Sequence, residues 1–346
     1  MEEVAVVYSK DYLSHKVKRH LENPLRIIKI WDALSSSRIY KEGIVRLVEP
    51  RLASEEEVKK VHSEELILKI KNLASHGGGR IAPDTMVSEN SYYAALLAAG
   101  GGLKALEEDL ERTFVLCRPP GHHAERDRAK GFCLLNNIAI VAKRALEMGY
   151  DRVCIFDWDS HHGDGTQKIF YEEPNVMYIS IHQDGRTLYP RSGNIDEVGA
   201  REGEGTKINI PLPPNSTGSM AQKCFIEVAV PIIKQFKPEI ILISAGYDGH
   251  WSDNVSDLRY TTETYYNFTK TIINDVVDNN TKIIAMLEGG YDLKYMPYSV
   301  IRTLEAMCSW EGDPIERELK MNTIEKRFVE ILIKKLKKIL SRYWKI

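Results

Sequence analysis

The chain has five cysteines (Cys117, Cys133, Cys154, Cys224 and Cys308), odd in number, widely spaced and without a CxxC pair. That excludes a disulfide framework and a thiolate zinc site, and leaves buried free thiols as the expectation. No stretch approaches the roughly 20 apolar residues of a membrane span, and residues 1–10 lack a basic segment leading into an apolar run. A cytoplasmic protein with no transmembrane segment is therefore expected. The net charge of -2 provides no global basic field, so direct nucleic-acid binding is not expected. Internal repeats and low-complexity linkers are missing as well. What remains is 346 residues, 43% hydrophobic and 28% charged, the composition of a globular protein within reach of one large α/β domain.

Short β-branched runs at residues 4–8, 113–116, 152–156, 176–181, 239–243 and 282–287 read as strands, and their near-continuous apolar character implies burial on both faces. Between them, residues 91–107, 137–148, 219–236 and 261–277 have helical length and spacing. This alternation predicts an α/β fold of three layers, a central, mostly parallel sheet with helices on both faces. The Gly/Pro/Asn-rich stretch 182–219 predicts long, functional loops around a short strand at 207–210. Residues 323–346 differ: Phe328, Ile331, Leu332, Leu336, Ile339, Leu340 and Tyr343 recur at helical spacing, with lysines on the other face. This basic amphipathic helix is expected to dock on the body or on a partner subunit, which leaves a homo-oligomer open. A membrane-surface or nucleic-acid role is the rival reading.

The densest polar cluster, Asp157-Trp158-Asp159-Ser160-His161-His162-Gly163-Asp164-Gly165, directly follows the apolar strand 152–156. In an open parallel sheet, ligands bind at the carboxyl ends of strands, so a strand that stops in Asp and His delivers them to a site. Asp159 and His161 lie two apart, which in extended chain puts both on one side, with Asp157 in the same parity. An isolated Asp-x-His would read as a cap or solvated turn. Three further clusters change that reading: Arg118-Pro119-Pro120-Gly121-His122-His123 after strand 113–116, Ser244-Ala245-Gly246-Tyr247-Asp248 after 239–243, and Glu288-Gly289-Gly290-Tyr291 after 282–287. A parallel sheet gathers all four on one edge. One metal needs about three protein ligands and an open position, which Asp159, His161 and Asp248 satisfy. The tandem histidines suit proton transfer, and Tyr291 suits donation to a developing oxyanion.

These residues, in this order, resemble the arginase/deacetylase superfamily and, more closely, class II histone deacetylases with their bacterial and archaeal relatives. The resemblance runs from about Val4 to about Ser309, and the tail lies outside it. It also includes His20-x-Glu22-x-Pro24-x-Arg26, Pro83-Asp84-Thr85, Gly131-Phe132-Cys133, Ser180-Ile181-His182 and Leu287-Glu288-Gly289-Gly290-Tyr291. The resemblance implies a deacetylase domain over residues 1–312 with a C-terminal helical extension at 313–346. It implies one zinc ion held by Asp159, His161 and Asp248, with Asp157 backing His122 and Asp164 backing His123. It also implies a potassium ion near Asp157, Asp159, His161, Ser180 and Ile181, and a substrate channel formed by Gly131, Phe132 and Tyr189. The implied reaction is hydrolysis of the acetyl amide of acetyl-lysine in proteins or peptides, with His123 as base and acid, and acetylpolyamine hydrolysis as the alternative. Three features depart from the family's pattern: Ser160 between two ligands, Arg191 after Tyr189-Pro190, and the stretch 250–257.

An arginase-like manganese hydrolase shares the implied fold, but two bridged metals need more carboxylates than this set offers. A non-catalytic acetyl-lysine reader is disfavoured because every inferred catalytic position is filled. A polyamine carries extra ammonium groups, so an enzyme selecting it should place a carboxylate at the channel mouth. The resemblance implies that in the polyamine-specific branch of class II this acid lies in the loop after the third metal ligand, where counting from Asp248 gives Val255, which is apolar, with Asp253 or Asp257 as substitutes if the loop is shifted. Acyl-lysine is therefore the expected better substrate.

Overall fold

The computed structural model describes residues 2–17, 19–108, 111–277 and 281–346. Its strands are β1 (Val4–Val7), β2 (Val45–Val48), β3 (Gly78–Ala82), β4 (Thr85–Ser88), β5 (Arg112–Val115), β6 (Val153–Asp157), β7 (Val176–Gln183), β8 (Lys207–Leu212), β9 (Ile240–Ala245) and β10 (Lys282–Leu287). Eight of them form one sheet in the order β2-β1-β5-β10-β9-β6-β7-β8, and every pairing in it is parallel. From β1 the chain steps outward to β2 and returns to β5. From β6 it runs the other way through β7 to β8, and β9 and β10 then fill the gap between β6 and β5. The reversal leaves a crevice over the carboxyl ends of β5, β10, β9 and β6, the usual location of a ligand site in such sheets. The four polar clusters follow those four adjacent strands.

Apolar runs without alternation require cover on both faces, and the register shows how it is supplied. Phe156 pairs with Ile243, which pairs with Ala285, so these three point to one side. On that side Phe156 stacks on Phe225 (4.6 Å) and meets Phe268 edge-on (5.7 Å), which brings in the helical segments Phe225–Ala229 and Thr262–Thr271. Met286, next to Ala285, faces the opposite side and meets the helix Ser91–Glu107 at Gly102. That helix carries three glycines in its interior, which propensity alone disfavours. A Cβ on Gly100 would lie 1.9 Å from the Arg51 carbonyl oxygen, so the close approach of residues 51–53 selects glycine there.

Three points of the sequence reading need adjustment. Strand β2 and the β3–β4 hairpin have no counterpart in the sequence reading. The helices expected at 219–236 and 261–277 exist, but each contains a π-helical turn, Phe225–Ala229 and Ile272–Val276. The tail helix Thr323–Leu340 docks on the segment around Gly218–Cys224, but with a rotated stripe. Val329, Leu332, Ile333, Leu336 and Leu340 are buried, whereas Phe328 and Ile331 are exposed. The five residues of 328–333 other than Glu330 are all apolar and spread over two faces, and the body selects between them. All five cysteines are free and buried. Among the described residues no helix is long and apolar enough to cross a membrane.

Candidate active site

The loops beyond β5, β6, β9 and β10 enclose a cavity of about 160 Å³ lined by His122, His123, Asp159, His161, Asp248 and Tyr291 at its base. Gly131, Phe132, Tyr189 and Asp84 also line it. Every residue expected for metal, proton transfer and the channel wall, apart from the backing residues Asp157 and Asp164 and the two β7 positions, therefore borders one space.

Ligand atoms of Asp159, His161 and Asp248 all lie within 4.8 Å of one another. His161 Nδ1 is 2.9 Å from Asp248 Oδ2 and 3.1 Å from Asp159 Oδ1. Backbone donors fix the remaining oxygens: Ser160 N–H donates to Asp248 Oδ1 (2.8 Å) and Gly289 N–H to Asp159 Oδ2 (2.9 Å). The departure at Ser160 thus removes no ligand, since its contribution to Asp248 is a main-chain one. A Cβ on Gly246 would lie 2.0 Å from Asp159 Oδ2, so only glycine lets β9 pass this close to the carboxylate. Strand parity explains the cluster only in part. β6 ends at Asp157, and Asp159 and His161 follow in a bend in which His161 N–H donates to Asp159 Oδ1 (2.9 Å). Burial opposes a charged His161, but Asp248 and Asp159 outweigh it and lift the imidazole to about 10. Two buried carboxylates demand positive charge here, and a divalent ion meets that demand. The donor set of two oxygens and one nitrogen fits zinc.

The tandem histidines sit on separate supports. His122 Nδ1 is 3.0 Å from Asp157 Oδ2, which also accepts from the Tyr178 hydroxyl. His123 Nδ1 is 2.9 Å from Asp164 Oδ1, and the other oxygen of Asp164 accepts from Lys130. Burial opposes charge on both rings. At His122 the carboxylates of Asp157, Asp159 and Glu288 prevail and hold it well above the ordinary value. At His123 burial wins, helped by the neighbouring His122, and the value falls to about 4. Tyr291 is pushed well above the usual phenol value, chiefly by burial, and stays protonated. Of the residues implied for potassium, Ser180 pairs with Asp157 across β6 and β7, its hydroxyl bonds His182 Nδ1 (2.7 Å), and Ile181 follows it, fully buried.

Residues 20–307 match the histone deacetylase domain family. The chain belongs to that family. It is 36% identical to a probable deacetylase of Archaeoglobus fulgidus, with 98% of each chain covered. A histone deacetylase-like amidohydrolase of Pseudomonas aeruginosa is 28% identical over 94% of this chain and 87% of its own. The crystal structure of an HDA15 HD domain superposes with a TM-score of 0.88 at 30% identity, covering 99% of this chain and 95% of that one. This histone deacetylase family member is thus a hydrolytic enzyme.

Its site depends on residues that the sequence reading named without a role or, for Asp253, for a different one. Glu288 accepts from Gly121 N–H (2.6 Å) and His122 N–H (3.1 Å), holding the tandem-histidine turn. Arg26, its guanidinium 4.9 Å from the Tyr291 ring centre, donates to the carbonyls of Gly290 (2.6 Å) and Glu288 (2.5 Å). Asp253 accepts from the N–H groups of Tyr291 (2.6 Å) and Asp292 (3.0 Å). Of the residues considered for the channel mouth, Val255 is not among those lining the cavity, Asp253 is buried and engaged with the Tyr291 backbone, and Asp257 is bonded to Gln183. The carboxylate that does line the cavity, besides the metal cluster, is Asp84. The motif Pro83-Asp84-Thr85 had marked it by resemblance alone.

Proposed function

We propose that this enzyme is a zinc-dependent deacetylase acting on acetyl-lysine in proteins or peptides. The observation that carries the proposal is that the His123–Asp164 pair, Tyr291 and the Asp159, His161 and Asp248 cluster border one narrow cavity. Zinc bound by those three residues would polarise the amide carbonyl and acidify the attacking water.

The protein groups then have distinct tasks. His123 is neutral at pH 7, and Asp164 accepts the hydrogen bond from its Nδ1–H, so Nε2 is the atom that accepts the water proton and returns it to the leaving amine. An amine leaves poorly unless protonated, so the same nitrogen serves both halves of the reaction. His122 keeps its charge and stabilises negative charge built up beside it. Tyr291 O–H donates to the oxyanion. Phe132, 5.7 Å from the Tyr291 ring, and Tyr189, 5.0 Å from the His123 ring, provide apolar walls suited to the methylene stem of lysine. Gly131 keeps the channel open, because a Cβ there would lie 2.4 Å from the His123 ring. Asp157, Asp159, His161, Ser180 and Ile181 offer oxygen-rich surroundings for potassium.

Asp84 bears on substrate choice. Its Oδ1 accepts from Thr85 Oγ1 (2.8 Å) and Gly131 N–H (3.2 Å), and as a cavity-lining carboxylate it suits the N–H groups flanking an acylated lysine. It also suits an ammonium, which is the observation favouring acetylpolyamine hydrolysis as the second reading. The deciding experiment compares kcat/KM for acetyl-lysine peptides and acetylspermidine with zinc content measured alongside. Peptides should be the better substrates. A tenfold preference for acetylspermidine, about 1.4 kcal/mol, would transfer the assignment to polyamines, and absence of turnover on both with zinc bound would defeat it.

A further inference from the structure

Residues 308–322 join the helix Met296–Met307 to the tail helix and lie beyond the residues that match the family. A simple connector needs no polar bonds into the body, yet this one makes a concentrated set. Glu316 Oε2 lies 2.7 Å from His250 Nε2 and accepts from Thr262 N–H (3.0 Å), while Oε1 accepts from Trp251 Nε1 (2.8 Å). Ser252 N–H points at His250 Nδ1 (3.2 Å), which makes Nδ1 the acceptor and Nε2 the N–H that donates to Glu316. His250 is fully buried and stacks on Tyr295, 4.9 Å between ring centres. It stands two residues after the metal-ligand candidate Asp248, and its carbonyl accepts from Asp253 N–H (2.9 Å). The Asp253 carboxylate in turn holds the backbone of Tyr291. Glu316 thus lies at the start of a short, continuous chain of bonds that ends at the tyrosine bordering the cavity.

We propose that Glu316 is a positioning residue for the active site: from outside the family-matched region it fixes His250, hence Asp253, hence the placement of Tyr291. The inference rests on the catalytic reading above for its kinetic arm and on geometry alone for its second arm. Glu318, two residues on, is the built-in control. It bonds the hydroxyls of Thr261 (2.8 Å) and Thr264 (3.0 Å) at the start of the helix Thr262–Thr271 and takes no part in the His250 chain.

The test uses the full-length zinc-loaded enzyme with Glu316→Ala, Glu316→Gln and Glu318→Ala. Gln can keep a carbonyl oxygen where Oε2 accepts from His250 and Thr262, losing only the bond to exposed Trp251, so Glu316→Gln should behave as wild type. Glu316→Ala should lower kcat about tenfold, less than the roughly 10²-fold of a 1 Å misplacement, with KM and zinc content unchanged. In the same variant, the amides of Tyr291 and Asp292 should exchange with solvent faster. Glu318→Ala should lower the melting temperature while leaving kcat and those two amides alone. If Glu316→Ala does not fold, Glu316→Asp, with its carboxylate retracted by one methylene, takes its place with the same readouts. Wild-type kcat and wild-type exchange at both amides in the Glu316 variant, or equal losses in Glu318→Ala, would overturn the proposal. A wild-type enzyme without deacetylase activity would defeat the function proposed above, and the exchange comparison would still decide this inference.

Discussion

Glu22 lies between two buried guanidiniums, and Glu22→Gln measures what that arrangement contributes. The carboxylate accepts from Arg118 Nε and Nη2 at 2.6 Å each and from Arg26 Nη1 at 3.2 Å, with His15 Nε2 at 3.3 Å. Glu22, Arg26 and Arg118 are each 0% exposed, so water cannot replace the lost charge. Removing one partner of a buried ion pair costs about 3–5 kcal/mol. Here Arg118 keeps the carbonyls of Tyr12 and His15, and Arg26 keeps those of Gly290 and Glu288, which places the expectation near the lower end, about 3 kcal/mol. At about 2 °C per kcal/mol for a chain of this size, the melting temperature should fall by about 6 °C. The pH dependence has a definite sign. Burial raises the Glu22 pKa, but Arg118 and His15 outweigh it and hold the carboxyl well below its ordinary value of 4.5. The unfolded chain therefore binds this proton first, so the contribution is complete above about pH 4.5 and declines as pH falls toward the folded value. Thermal unfolding of wild type and variant across this range should show a constant gap near neutrality that narrows in acid. A neutral-pH difference under about 1 kcal/mol, or a gap that widens in acid, would refute the reasoning.

Asp248→Asn should abolish both zinc retention and turnover, read by metal analysis, while chelated wild type should recover with added zinc; full activity in the metal-free variant would remove Asp248 from the ligand set. Tyr291→Phe should lower kcat by about 10²–10³ with zinc content unchanged, and His123→Ala should be at least as severe. A normal kcat in either variant takes that residue out of the mechanism. Deleting residues 323–346 uncovers the face now packed by Val329, Leu332, Ile333, Leu336 and Leu340, each worth about 1.5–3 kcal/mol when fully buried. The truncated protein should melt several degrees lower or associate, and an unchanged melting temperature and mass would show that the packing contributes nothing.

What could be read from sequence follows from which forces act locally. The site-bearing strands are apolar and buried on both sides, so composition alone located β6, β9 and β10 to within two residues. The polar clusters stood out because each interrupts such a run. Strand β2 was illegible because only Val45 is buried while Arg46 and Leu47 face solvent. The β3–β4 hairpin contains a pair of glycines and an irregular register, which weaken any periodic signal. The tail stripe was right at Leu332, Leu336 and Leu340 but rotated at Phe328 and Ile331, because residues 328–333 are apolar at every position but Glu330 and tertiary contact decides the register. Nothing local marks Glu22, Arg26 and Asp253 as buried; their burial is visible only once residues far apart in the chain are brought together.

The two histidines of one turn show why the surroundings matter as much as the motif. Their rings are 4.1 Å apart, and in the sequence only the family resemblance, not the residues themselves, separates their roles. Yet His122 faces three carboxylates, whereas His123 faces one whose second oxygen is taken by Lys130. The charge on His122 then lowers His123 further. One ring is thereby favoured as a cation and the other as a neutral base, and the state of the second depends in part on the first. Such a pair supplies electrostatic stabilisation and proton transfer side by side, which hydrolysis of an amide requires because the same small volume must bear negative charge and deliver a proton to nitrogen.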